Sequence, residues 1–204
     1  MSQTSVATSD QQIISPLTDD DRHELLTLAR RVICDSLAGS ADPLTQVVDL
    51  PPRLREAGAC FVSLRRSPDL LGSVGTLDPV RAIGLDAAEH ALSAAFADPR
   101  VPAVTADDLA DLTVEISVLG PLVPTGATSY AQLGQLLEPG VDGLVVRRDS
   151  LRVTFLPAVW EDTRDVNDFL ALLWRKAGMT PGDWPSGINT WTYRAETLSD
   201  RPPS

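Results

Sequence analysis

Positive charge is scarce in this sequence. Seventeen Lys and Arg stand against 28 Asp and Glu, for a formal net charge of −11. The only adjacent arginine pairs are Arg30-Arg31, Arg65-Arg66 and Arg147-Arg148. A nucleic-acid reader needs a basic stripe to displace counterions from phosphates, so that function class is set aside. The acidity serves solubility instead. Histidine is limited to His23 and His90, and there is no Cys-x-x-Cys or His-x-x-x-His pair, so no metal site and no cofactor is expected. The two cysteines, Cys34 on a predicted helix and Cys60 on a predicted strand, both have apolar neighbours and read as buried, reduced thiols. No apolar run approaches the ~20 residues that span a bilayer. Residues 1–10 are polar and lack the apolar core of a signal peptide. A soluble, cytoplasmic protein without a membrane partner is the expectation.

What is present is ordinary globular material, 43% hydrophobic and 22% charged over 204 residues. Residues 1–16, rich in Ser, Thr and Gln, read as a flexible lead-in, and 199–204 as a loose tail. Between them, Thr18 before three aspartates caps a helix whose Leu25, Leu28, Val32 and Ile33 fall on one face. The run 59–64 has the composition of a strand, and a second helix is predicted from Asp78-Pro79 to about Ala97. Leu112, Val114, Ile116 and Val118 alternate with polar residues, the clearest strand signal in the chain. Residues 143–148 and 151–156 flank Asp149-Ser150 as a hairpin. A helix over 163–177, stopped by Gly178, and a last strand over 188–194 follow. Interspersed helices and a hairpin point to a mixed α+β fold rather than a parallel sheet.

Several ordered segments resemble one known family. Residues 70–77 read LLGSVGTL, similar to the Leu-Arg-Gly-Cys-Ile-Gly signature of the AMMECR-type (AMME syndrome candidate gene one) family. Residues 58–64, 94–100, 114–119, 140–144, 155–157 and 176–178 resemble family segments in the same order, so the likeness spans about residues 22–194. The resemblance implies one domain over 17–198 with a larger and a smaller lobe and largely antiparallel sheets. It also implies association with a Memo-type protein and with a radical S-adenosylmethionine (SAM) protein. This chain departs from the signature at Leu71, Ser73 and Val74, where relatives carry Arg, Cys and Ile, and at Asp142, where many carry His. A guanidinium fork and a thiolate are thereby absent at the signature.

The candidate binding residues are Gly72, Ser73, Val74, Gly75, Arg65 and Glu115. Two glycines around Ser73 suit a tight loop that presents N–H groups or a hydroxyl to a ligand; they suit equally a turn packing a strand on the next helix. The spacing fits neither phosphate-loop nor dinucleotide fingerprints. Glu115, mid-strand opposite Val114 and Ile116, is either a wet strand residue or a carboxylate near the glycines, with Arg65 as its partner or as an anion contact. Neither histidine has a recognisable orienting partner, so no catalytic residue is assigned. Trp174 reads as core, and Trp160, Trp184 and Trp191 as a small aromatic surface for a protein partner. Two functions remain: a binding or accessory module beside a partner enzyme, or an enzyme acting on a small molecule at Gly72–Gly75.

Overall fold

A capping box opens the first helix, α1 (Asp19–Leu37). The Thr18 hydroxyl accepts from the backbone N–H of Asp21, and the Asp21 carboxylate accepts in return from the N–H of Thr18. The computed structural model describes residues 16–40, 42, 44 and 50–201. The expected lead-in lies outside them except for Pro16. Leu25, Leu28, Ala29, Val32 and Ile33 are fully buried, as their spacing predicts.

Two four-stranded antiparallel sheets carry the rest. In the first, β2 (Cys60–Arg66) and β5 (Thr113–Leu119) are central, and β3 (Asp69–Gly75) and β10 (Ala195–Ser199) are the edges, in the order β10-β5-β2-β3. In the second, β9 (Asn189–Tyr193) and β7 (Gly143–Arg148) are central, and β6 (Val123–Pro124) and β8 (Leu151–Phe155) are the edges, in the order β6-β9-β7-β8. α1 and α2 (Ile83–Phe96) cover one face of the first sheet, where Val62, Leu64, Val114 and Ile116 join the larger core. α3 (Tyr130–Leu136) and α4 (Val166–Lys176) build a second core with Leu144 and Val146. A small third cluster, Ala59, Leu119, Val145 and Tyr193, seams the two sheets together. Each fully buried Leu, Ile, Val or Phe contributes about 1.5–3 kcal/mol, so the two cores dominate stability.

The chain changes sheet with very little linker. Arg194 alone separates β9 from β10, and residues 120–122 separate β5 from β6. The backbone N–H of Gly120 donates to the carbonyl of Arg194 at 2.8 Å, tying the two crossings to each other. The two sheets are therefore joined along this seam.

The elements differ from the sequence reading in four places. The second helix starts at Ile83, not at Asp78-Pro79, because β4 (Arg81–Ala82) is drawn into a short ladder with β1 (Ala57–Gly58). The fourth starts at Val166, capped by Asp165, because residues 157–162 form a separate 3-10 turn. β10 was not predicted, since only Leu198 of its five residues is large and apolar. The tail expected from residue 199 is anchored through Arg201: Ser199 ends β10, and the Asp200 carboxylate accepts from Arg30 and from the N–H of Val114.

Candidate functional site

Strand pleating lines up four polar residues across the first sheet, on the face turned away from α1 and α2. Ser73 of β3 lies opposite Ser63 of β2, Ser63 opposite Glu115 of β5, and Glu115 opposite Ser199 of β10. The hydroxyls of Ser63 and Ser73 are 2.9 Å apart. Arg65, two residues along β2, donates from Nε to Glu115 Oε2 at 2.9 Å as a diagonal cross-strand pair. Their side chains remain 44% and 29% exposed, so the pair is screened and adds at most about 1 kcal/mol to folding. The same face carries a hydroxyl pair, Ser117 and Thr197, at 3.1 Å.

The free edge of β3 is closed by a carboxylate and a guanidinium. An edge strand leaves N–H and C=O groups unpaired. Here the Ser73 N–H donates to Asp98 Oδ2 at 2.9 Å, and Arg100 Nη2 donates to the Ser73 carbonyl at 2.7 Å. Arg100 also holds Asp98 directly, at 2.9 Å through Nε and 2.6 Å through Nη2. The guanidinium, helped by the N–H groups of Ser73 and Arg100, outweighs burial and keeps the Asp98 carboxyl well below the usual carboxylate range.

The other lobe meets this edge through β8. Arg152 Nη1 donates to both oxygens of Asp78, three residues beyond β3, at 2.7 and 2.8 Å. Two residues along β8, the Thr154 carbonyl accepts from Lys176 Nζ at 3.0 Å, and the Thr154 hydroxyl lies 2.8 Å from the Tyr193 hydroxyl. Burial pushes the Tyr193 phenol up to about 12. Arg147 lies over the Trp191 ring, 5.0 Å from its centroid.

The structure divides the residues singled out from the sequence. Ser73, Arg65 and Glu115 share the open face. Gly72 and Val74 point to the helix side, where Val74 packs on the larger core. Residues 72–75 form no loop: they continue β3 in register with β2. Both glycines are explained by close approach. A Cβ on Gly72 would overlap the Ala94 carbonyl oxygen of α2, and one on Gly75 would overlap the Phe61 ring. Leu71, in place of the family Arg, sits at the irregularity between β2 and β3, packed on the core. Nor do three tryptophans form a surface. Trp160 is buried and stacked on Phe169 at 3.8 Å, Trp184 stacks on Trp174, and Trp191 packs at the seam.

Two groups escaped the sequence reading. Asp98 and Arg100 lay within a family-like segment, but only the register reveals that they clamp Ser73. His90 does have an orienting neighbour, one helical turn away: Asp86, fully buried, lies 3.3 Å from His90 Nε2, although the two are not aligned for a hydrogen bond. The i, i+4 spacing was the available signal. Asp86 Oδ2 accepts from the Cys60 N–H at 3.0 Å and lies 3.4 Å from its sulfur, and Arg81 reaches Oδ1 at 3.2 Å and Glu89 beyond. This cluster lies on the core side and anchors the start of β2. Both cysteines are free, and Cys34 is only half-buried. Among the described residues, no group of three His, Cys, Asp or Glu is placed to hold a metal ion, and no helix is long and apolar enough to cross a membrane. A shallow groove between α1 and the end of β10 has its cations engaged, Arg30 with Asp200 and Arg201 with the Ala110 carbonyl.

Comparison with known proteins places this architecture. The AMMECR1 family model matches residues 26–198. A protein of Methanothermobacter thermautotrophicus is 38% identical over 168 residues, 82% of this chain and 87% of the relative. Protein MJ0810 of Methanocaldococcus jannaschii is 31% identical, covering 86% and 88% of the two chains. The crystal structure of the uncharacterized protein PH0010 from Pyrococcus horikoshii superposes with a TM-score of 0.81 at 28% identity, over 90% of this chain and 93% of that one.

Proposed function

This chain belongs to the AMMECR1 family, and on that premise we propose that it is a cytoplasmic binding or accessory module acting beside a partner enzyme, of the Memo-type or radical SAM class. Its working surface is the polar face of the first sheet. One observation carries this reading: Ser73, Ser63 and Glu115 stand in register on a half-open face, while the other faces of both sheets are filled by helices and apolar side chains. Sheets normally bury apolar side chains wherever a second layer is available. A row of hydroxyls and an ion pair beside the second lobe forgoes that burial and presents donors and acceptors to something else. Two cysteines that are not paired in a disulfide suit the cytoplasm.

A nucleophilic Ser73 finds no support in its surroundings. Its hydroxyl faces another hydroxyl, and a serine needs an adjacent base. Both histidines lie on helices packed against the opposite face.

Site-directed spin labelling tests the reading. A nitroxide on Ser63→Cys, in a Cys34→Ser background, is immobilised on adding a purified Memo-type or radical SAM protein. A label on exposed Thr27 of α1 stays mobile. Immobilisation at Thr27 alone, or at neither position with either partner, contradicts the proposal.

A further inference from the structure

We propose that Arg100 and Lys176, brought from opposite lobes to the β3–β8 side of the seam, form a receptor for an oxyanion, the carboxylate or phosphoryl group of a small ligand lying against Ser73. This names a ligand class for the proposed surface and rests on that surface being one that binds.

The chain uses arginine for sixteen of its seventeen basic residues, and Lys176 is its single lysine. It ends α4, in the Lys-Ala-Gly segment that resembles the family. The ammonium is held in one place: it donates to the Thr154 carbonyl at 3.0 Å and lies 5.1 Å from the centroid of the Phe155 ring. Two of its three N–H groups remain for a ligand. Among the described residues no carboxylate lies within 4.0 Å of it, although the chain carries 28. Its strongest charged neighbour is a cation: burial, then the positive charge of Arg100, lowers the Lys176 pKa.

Arg100 is likewise held yet unsaturated. Nε and Nη2 are engaged by Asp98 and the Ser73 carbonyl, whereas Nη1 has no hydrogen-bond partner among the described residues, and the side chain is 61% exposed. Two cations set near each other repel unless an anion lies between them. Asp98 neutralises one charge from beneath, so the site presents one net positive charge with several directed donors. That suits a single oxyanion group. The ties on both sides, Asp78 with Arg152 and Thr154 with Tyr193, fix the two edges that carry the cations.

Isothermal titration calorimetry of the full chain with inorganic phosphate and, separately, with succinate tests the site. The expected result is saturable one-to-one binding of at least one probe. Whichever binds tells a phosphoryl from a carboxylate ligand. Lys176→Met keeps the stem on Phe155 and removes the charge. It is expected to bind at least about tenfold more weakly, with a melting temperature within about 2 °C of the wild type. Arg100→Gln is expected to weaken binding similarly; if it melts early because Asp98 is stranded, Lys176→Met decides alone. Equal affinity in wild type and Lys176→Met, or no saturable binding of either probe, overturns the proposal. Phosphate or succinate binding that survives Glu115→Ala but not Lys176→Met upholds the oxyanion site even where no partner protein binds, so the two proposals fail separately.

Discussion

The hydroxyls of Ser63 and Ser73 meet at 2.9 Å between the edge strand and its neighbour, on the sheet face turned away from α1 and α2. That contact joins the family signature to the strand before it, and through Ser63 to Glu115. The signature is thus a length of sheet with two distinct sides: glycine against a helix on one, serine on the half-open polar face on the other.

The helix side decides stability. Gly72→Ala places a methyl group into the Ala94 carbonyl, and α2 must shift to admit it. The expected loss is about 1–3 kcal/mol, or more if the helix cannot move. Denaturant unfolding measures it; an unchanged midpoint would mean that the strand and helix approach less closely than described.

Acid sensitivity follows from Asp98. Its native pKa is depressed, chiefly by Arg100, below the ~3.9 of an unfolded aspartate. The pairing contributes fully above that value. As pH falls below it, the unfolded chain takes up a proton that native Asp98 refuses, and stability drops. Asp21, Asp108 and Asp168 act the same way, through Thr18, the Thr105 backbone and Arg164 respectively. Melting temperature is expected to fall between pH 5 and pH 2. Asp98→Asn should start lower at pH 7 and fall less steeply. Parallel curves for the two proteins would remove Asp98 from this account.

Cys60 is expected to resist alkylation in the native protein. Burial, with the Asp86 carboxylate beside it, pushes its thiol well above the ordinary cysteine value, so little thiolate forms. Iodoacetamide at pH 8, read by mass spectrometry, should modify half-buried Cys34 first and reach Cys60 only in denaturant. Labelling of Cys60 at the rate of Cys34 contradicts this burial.

Asp86→Ala leaves the Cys60 N–H without its acceptor and removes the buried charge that faces Arg81. Removing one partner from such a buried charged cluster costs about 3–5 kcal/mol. Asp86→Asn, which keeps an acceptor, should lose less. Chemical denaturation of both variants decides, and an Asn variant as unstable as the Ala variant points to charge rather than to the lost acceptor.

Much of this was legible in the residues. The alternation over 112–118, the cap at Thr18 and the hairpin at Asp149, where φ is +54°, all follow from local chemistry. β10 was not legible, because a short edge strand with one large apolar residue carries almost no periodic signal. The glycine signature left a ligand loop and a turn packing a strand on a helix equally open, and the outcome is a strand packed on a helix. Glycine marks close approach as well as turns, and only the position of Ala94 on α2 tells which applies at Gly72. Arg65 and Glu115 were pairable in advance because alternation alone fixes their face. The clamp of Asp98 and Arg100 on Ser73 depends on strand order, which no local pattern encodes.

The proposal that the polar sheet face binds a partner is tested most directly by comparing affinity with stability in Glu115→Ala. Titration calorimetry with the purified Memo-type or radical SAM protein would be set beside thermal melting of the same samples. The expected result is an affinity loss of at least about tenfold with a melting temperature within about 2 °C of the wild type, since a half-exposed ion pair adds little to folding. Unchanged affinity, or affinity and melting temperature falling together, would contradict it.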